Sequence, residues 1–283
     1  MAVLVDILKS ATARLVKALA LEPREARLEA QILVAHALGV NRAWLIAHDL
    51  DELPMNEVGN LEALFARREK GEPVAYILGE REFYGRLFRV TPDVLIPRPE
   101  TELLVEAALV RLPPAAPTRV VDIGTGSGCI ALTLALERPA WTLTAVDIST
   151  AALKIAQENA ARLGARVAFV QSDLFSHLEA TPFDAIVSNP PYVAEAAPHL
   201  GQGDLRFEPA SALASGPEGL DTLVRLIPQA LGHLRPGGWL MLEHGWDQGD
   251  KCRGLMAQSG FMDIQTLTDL AGHPRVSLGR RPQ

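Results

Sequence analysis

The sequence predicts an α/β protein: a seven-stranded, mostly parallel, doubly wound sheet, preceded by a small N-terminal helical domain and a β-hairpin linker. Three observations carry this. From Arg119 onward, short apolar runs alternate with helical patterns, the signature of parallel strands joined by helical crossovers. Before about residue 72, apolar residues recur at helical spacing with no strand-like run. Between the two, EFYGRLFRV alternates about a glycine. The expected boundaries are 1–72 for the helical domain, 73–98 for the hairpin and extended linker, and 99–283 for the sheet domain. A chain of 283 residues is long enough for two domains, and 48% hydrophobic against 22% charged residues supplies packed cores.

In chain order, Leu4, Ile7, Leu8, Ala11, Leu15, Ala18 and Leu19 form one face of a first helix. Pro23 suits the first turn of a second, where its missing N–H costs nothing, and Gly39 closes it. Asn41 is placed to cap a short third helix bearing Trp44 and Leu45, and Asn56 to cap a fourth that stops at Gly71. From Pro73 to Val90 the period shifts toward two, with Gly85 at the hairpin turn. Pro97 and Pro99 hold Arg98 extended, and Glu100, Thr101 and Glu102 open the next helix, where carboxylates suit the positive dipole end. RVVDIG, TLTAVDI, RVAFVQSD, FDAIVS and WLMLE read as strands. GCIALTLALER, TAALKIAQENAARLG and DTLVRLIPQALGHL read as helices between them. FMDIQTLTD and PRVSLGRR close the fold as an antiparallel pair.

The formal net charge of −7 argues against a wide basic face for nucleic-acid backbone. Two cysteines, Cys129 and Cys252, make neither a disulfide scaffold nor a zinc site and suggest a reducing, cytoplasmic setting. The histidines are scattered without metal-ligand spacing. No run is long and apolar enough for a membrane span, and the N-terminal stretch does not read as a signal peptide.

The chemistry concentrates at the ends of the expected strands. VVDIGTGSGC runs from a strand through Gly124, Gly126 and Gly128 into a helix, so a ligand can approach the backbone. By itself such a loop fits NAD, FAD or S-adenosylmethionine, or is merely a tight turn. The G-x-G-x-G spacing is not the dinucleotide fingerprint, and Asp122 on the strand suits a cationic cofactor better than a pyrophosphate. Ser127 does not satisfy a hydrolase elbow. Asp147, about 20 residues on, can accept ribose hydroxyls, with Ser149 as the better helix cap. Asp173 can accept an adenine amino group or serve as a loop aspartate, with the Leu174 amide near a ring nitrogen. Asn189-Pro190-Pro191-Tyr192 follows an apolar strand. The Asn189 side-chain oxygen and the Pro190 carbonyl are acceptors for a planar NH₂, the prolines stiffen the loop, and Tyr192 offers a flat face.

Together these residues resemble class I S-adenosylmethionine-dependent methyltransferases of the amino-group type. REFYGRLFRVTPDVLIPRPETE, VSNPPY and DLAGHPRV resemble one family closely, the bacterial release-factor glutamine methyltransferases, over roughly Pro73 to Arg280. The helical N-terminus fits that family's small helical domain. The resemblance implies methyl transfer from S-adenosyl-L-methionine to the side-chain amide nitrogen of the glutamine in the Gly-Gly-Gln motif of class-1 peptide-chain release factors. The N-terminal domain would help dock that protein substrate. It also implies cofactor contacts from Gly124, Thr125, Gly126, Ser127, Gly128, Asp147, Ile148, Asp173, Leu174 and Asn189. Catalysis would fall to Asn189, Pro190, Pro191 and Tyr192, with no metal, no membrane and no direct nucleic-acid partner. Leu174 stands where some relatives carry an aromatic residue. Phe83 to Glu102 is expected to cover the cofactor, held by ion pairs of Arg98 and Glu100. The alternatives are a ribosomal-protein glutamine methyltransferase, which the PRPETE segment disfavours, and a DNA or RNA adenine-N6 methyltransferase.

Overall fold

The structure is a computed structural model that describes residues 1–179 and 181–283. The chain forms two compact units. The first is Met1–Glu80 with Gly201–Phe207, and the second is Arg81–Leu200 with Glu208–Gln283.

The first unit contains α1 (Leu4–Leu19), α2 (Pro23–Leu38), α3 (Arg42–Ala47), α4 (Met55–Glu69) and α5 (Val74–Leu78), with a two-residue pairing of β1 (Ala2–Val3) and β2 (Glu52–Leu53). The helical periodicity of the sequence becomes one core: Leu4, Ile7, Ala11 and Leu15 of α1 pack with Leu33 and Val34 of α2 and Leu61 and Phe65 of α4. Asn41 caps α3, its side chain accepting from the Trp44 amide at 2.9 Å. Two local expectations are corrected. Pro54, extended at φ −67 and ψ 153, already launches α4 at Met55, so Asn56 sits inside the helix and not at its cap. Pro73 begins α5, where Tyr76 and Ile77 are buried; the period-two run starts only at Glu80.

Arg68 of α4 is the buried charge of this unit. Its guanidinium donates to both carboxylate oxygens of Glu29, to the Gly71 and Glu72 carbonyls, and to Asp204 of the returning segment. All three nitrogens of the fork have an acceptor, which is the condition for burying arginine.

A hairpin follows, of β3 (Glu80–Phe83), whose first residue is the last of the first unit's opening stretch, and β4 (Arg86–Arg89). Tyr84 and Gly85 form its turn with φ of 51 and 72, the left-handed pair that a two-residue hairpin requires. The Tyr84 amide donates to Glu102 at 2.8 Å, so the first carboxylate of the following helix holds the turn.

The sheet comprises β5 (Thr118–Ile123), β6 (Trp141–Asp147), β7 (Val167–Gln171), β8 (Phe183–Ser188), β9 (Leu234–Glu243), β10 (Met262–Thr268) and β11 (Pro274–Arg280), in the order β10-β11-β9-β8-β5-β6-β7. All neighbours are parallel except β11, antiparallel to both β9 and β10. The helices are α6 (Glu102–Arg111), α7 (Cys129–Glu137), α8 (Thr150–Leu163), α9 (Ala210–Leu213), α10 (Asp221–His233) and α11 (Gly249–Gln258). Sequence periodicity left α11 unassigned: it carries two glycines and buries little beyond Cys252 and Met256.

Alternation along the central strands separates two cores. Val120, Ala185, Val187 and Met241 face one side with Leu104 of α6 and Ile130 of α7. Val121, Ile123, Ile186, Leu240 and Leu242 face the other with Leu223 and Leu226 of α10 and Met256 of α11. Connections run outward in opposite directions from β5 and β8. A crevice therefore opens at their carboxyl ends, where sheets of this kind bind ligands.

Candidate active site

The glycine loop leaves β5 at the edge of that crevice. Gly124, Gly126 and Gly128 have φ of 74, 55 and 84. A Cβ at Gly124 or Gly126 would meet nothing within 4 Å, so the backbone there is bare toward open space. The Gly124 and Thr125 amides both donate to the Val146 carbonyl at 2.8 Å. Asp147 closes the loop: one carboxylate oxygen accepts from the Gly126 amide and the other from the Ser149 amide, each at 2.9 Å. Ser149 caps α8 as expected. Asp147 is nevertheless not left wholly free for a ligand, because two loops share its charge. Burial raises its pKa.

Asp122 is fully buried at the end of β5. It accepts from the Thr125 hydroxyl at 2.6 Å through Oδ2, while Oδ1 has no partner among the described residues. Burial pushes its pKa up to about 7. Asn159 of α8 ties the loop to the hairpin: its amide donates to the Ser127 and Arg89 carbonyls and its oxygen accepts from the Arg89 amide.

The NPPY loop leaves β8 beside the glycine loop, as the pairing of Ile123 with Ser188 requires. Asn189 Nδ2 donates to the Thr101 hydroxyl at 3.1 Å. The Tyr192 hydroxyl turns instead to the buried Glu243, at 3.4 Å. Burial and that carboxylate raise the tyrosine pKa. On the front wall, Glu208 accepts from the Ile96 amide at 3.0 Å and from the Arg98 guanidinium, and so holds the IPRP segment in place.

These loops enclose a cavity of about 390 Å³. Its walls are Asp93–Leu95, Pro97, Arg98 and Thr101 in front, the glycine loop below, Asp147–Ser149 and Ser172–Leu174 on one side, and Ser188–Pro191 on the other.

Residues 6–79 match the family described as the PrmC N-terminal domain, and residues 99–211 match the methyltransferase small domain. The release factor glutamine methyltransferase of Bordetella pertussis is 50% identical, over 94% of this chain and 98% of that protein. The chain belongs to the release factor glutamine methyltransferase family. The Escherichia coli member of the family is 45% identical over 90% of this chain and 92% of its own. The fold is shared more widely. A Pyrococcus furiosus methyltransferase, 17% identical, covers 80% of this chain and 100% of that one with a TM-score of 0.54. A T. thermophilus 16S rRNA methyltransferase solved with AdoMet and guanosine is 24% identical and covers 71% and 49% of the two chains, also with a TM-score of 0.54.

In this member of the family, Gly124, Thr125, Gly126, Ser127, Asp147, Ile148, Asp173, Leu174, Asn189, Pro190 and Pro191 all line the cavity. Two expected residues do not. Gly128 lies behind the loop, where a Cβ would press Leu132 at 3.0 Å and Ala156 at 3.2 Å. Tyr192 is drawn off by Glu243. Asp173 is already paired, its carboxylate 2.6 Å from Arg225 of α10, and Leu174 takes a left-handed φ of 51 that turns the chain there. Arg98 forms its ion pair, with Glu208; among the described residues Glu100 forms none. Of the front segment, Asp93 to Thr101 reaches the cavity, whereas Phe83 and Phe88 are buried in the core, their rings edge to face at 6.1 Å.

Sequence reasoning missed Asn159, Glu208, Arg225 and Glu243. Glu243 had one available signal, a carboxylate closing an otherwise apolar strand, WLMLE. The other three had none, since each acts through a partner distant in the chain.

Proposed function

We propose that the chain transfers the methyl group of S-adenosyl-L-methionine to the side-chain amide nitrogen of the glutamine in the Gly-Gly-Gln motif of class-1 peptide-chain release factors. One observation carries the reading. Asn189, whose Nδ2 is engaged by Thr101, lines the same cavity as the bare glycine loop, in a chain whose relatives at about half identity carry that name.

The cavity suits the cofactor. Gly124 and Gly126 leave room where side chains would intrude, and Asp122 Oδ1 and Ser127 Oγ are buried polar atoms without partners among the described residues. Gly124–Gly128, Asp147, Ile148, Asp173, Leu174 and Asn189 would hold it. Bound there, it supplies an electrophilic methyl on a sulfonium. Ionised Asp122 and Asp147 would favour a cationic ligand, and Asp147 retains lone pairs for ribose hydroxyls beyond its two amide bonds.

Asn189 Oδ1 and the Pro190 carbonyl would accept the two hydrogens of the substrate amide. An amide nitrogen is a weak nucleophile because its lone pair is delocalised. Two fixed acceptors draw the nitrogen toward tetrahedral geometry and aim the lone pair at the methyl carbon. A cofactor held by the glycine loop and Asp147 would supply the methyl for the new N–C bond, and its sulfonium sulfur would take up the electrons of the C–S bond that breaks. The methylated amide then loses one proton to water. Prolines at positions 190 and 191 bring no N–H donors that would oppose the substrate's hydrogens.

The test offers the protein labelled S-adenosylmethionine with a release factor, with the same factor bearing Gln→Ala in its Gly-Gly-Gln motif, with ribosomal proteins, and with DNA and RNA. Label is expected on the intact release factor alone. Label on a ribosomal protein or on nucleic acid, and none on the release factor, overturns the assignment.

A further inference from the structure

An asparagine amide is useful as an acceptor only if its oxygen faces the substrate. Rotating χ2 by half a turn swaps Oδ1 for Nδ2 at almost no intrinsic cost. A donor facing the hydrogens of a substrate NH₂ would repel them, so something must choose between the two rotamers.

The choice is built behind Asn189. Its Nδ2 donates to Thr101 Oγ1 at 3.1 Å. Thr101 is 2% exposed, on the turn that opens α6, and Glu243, 1% exposed, closes β9. The Thr101 hydroxyl favours the ionised form of the Glu243 carboxylate, whose buried Oε2 has no well-aligned donor among the described residues. A hydroxyl has one proton. If that proton is given to Glu243, Oγ1 shows Asn189 only lone pairs. Nδ2 is then the half of the amide that fits inward.

We propose that Thr101 and Glu243 are positioning residues that polarise this chain of hydrogen bonds, so that Asn189 presents Oδ1 to the substrate amide. The inference rests on the acceptor role given to Asn189 above. A protonated Glu243 reverses the chain: its O–H donates to Thr101, the threonine proton turns to Asn189 Oδ1, and Nδ2 faces the cavity.

Glu243 is tuned for such a reversal near neutrality. Burial pushes its pKa up to about 7, against the opposing pull of Thr101, Arg275 on β11 and the Tyr192 hydroxyl, while Glu100 on the turn before α6 repels its charge. Burial, with smaller contributions from the charges of Asp122 and Glu243, pushes the Cys129 thiol at the start of α7 up to about 12. The neighbouring His244 is bonded to the Gly245 carbonyl and Ser277, and burial lowers its pKa.

The experiment measures single-turnover rates on a release factor against pH, with cofactor and release-factor affinities, for wild type, Thr101→Val, Thr101→Ser and Glu243→Gln. Thr101→Val keeps the shape and removes the acceptor. It is expected to lower the rate roughly 10- to 100-fold, the scale of a misplaced positioning group, with both affinities near wild type. Thr101→Ser restores the hydroxyl and should restore the rate. The wild-type rate should fall as pH drops through about 7. Glu243→Gln, which cannot titrate, should lose that acid limb when compared in an Asp122→Asn background, which removes the other carboxylate with a pKa near 7. An independent readout is the Asn189 side-chain amide resonance, whose exchange protection should disappear in Thr101→Val. An unchanged rate in Thr101→Val, or an acid limb that persists in Glu243→Gln in the Asp122→Asn background, overturns the proposal. If wild type labels no release factor, the proposed function fails instead.

Discussion

Asn189 has one hydrogen-bonding face held and one open, and that asymmetry makes its chemistry testable at a single residue. Asn189→Ala is expected to cut single-turnover rate by about 10²–10³, the scale for losing one preorganised polar contact, with little change in cofactor affinity by calorimetry. Tyr192→Phe should be much milder, since the hydroxyl makes only a 3.4 Å contact with Glu243 and the ring does not line the cavity. Asp122 sets a pH dependence of stability. Its pKa rises from an ordinary 3.8 to about 7 on folding, so between those values the folded chain binds the proton more tightly than the unfolded chain. The cost of burying its charge is absent near pH 4 and complete above about 7, so stability falls as pH rises through that window. Asp122→Asn should therefore be more stable than wild type at pH 8, and the difference should vanish near pH 4. Urea denaturation at the two pH values measures it, and a gap that grows on acidification would contradict the burial argument.

At the scale of the element, the three glycines of the loop after β5 perform two different tasks. Gly124→Ala imposes a left-handed φ of 74 on alanine but places its Cβ in open space. It should cost about 1–2 kcal/mol of stability, the penalty for a left-handed non-glycine residue, and mainly reduce cofactor affinity. Gly128→Ala adds to the same strain a collision with Leu132 and Ala156, so α7 and α8 must part. It should lose more stability than Gly124→Ala under urea, and the reverse order would mean that the helix packing yields easily. The front wall depends on Glu208 in the same way. Glu208→Ala removes the partner of Arg98 and the acceptor of the Ile96 amide together. Faster hydrogen exchange in residues 94–98 is the expected signature.

At the scale of the whole molecule, a buried charge can draw its partners from distant parts of the chain, as Arg68 does. Arg68 in the first unit serves Glu29, two carbonyls and Asp204, the last contributed from a segment more than 130 residues away in sequence. Arg68→Ala leaves Glu29 without its partner and should destabilise the first unit by about 3–5 kcal/mol, the scale for breaking a buried pair. Asp204→Ala removes a partner whose side chain is 43% exposed and should cost no more than about 1 kcal/mol. Hydrogen exchange within α4 in the full-length protein measures both. Equal effects would mean that Asp204, not Glu29, is the anchor of Arg68.

Taken alone, the sequence determined the period-two strands, most of the helices, the hairpin turn at Gly85, and the loops that end β5 and β8. Each depends on residues within a few positions of one another, so spacing and residue type suffice. α11 escaped because two glycines and few buried side chains leave no clear period, and the start of α4 was misplaced because Pro54 outcompetes Asn56 for the boundary. What only the tertiary structure decided is which polar groups meet. Glu208 reaches Ile96 across 112 positions, Asn159 reaches Arg89 across 70, and Thr101 reaches Asn189 across 88. It also turned Tyr192 from the cavity toward Glu243, and divided Asp147 between two amides. The reason is physical: a side chain's hydrogen-bond partner is set by which elements the sheet order brings side by side, and β5 lies next to β8 only because the chain reverses its winding there.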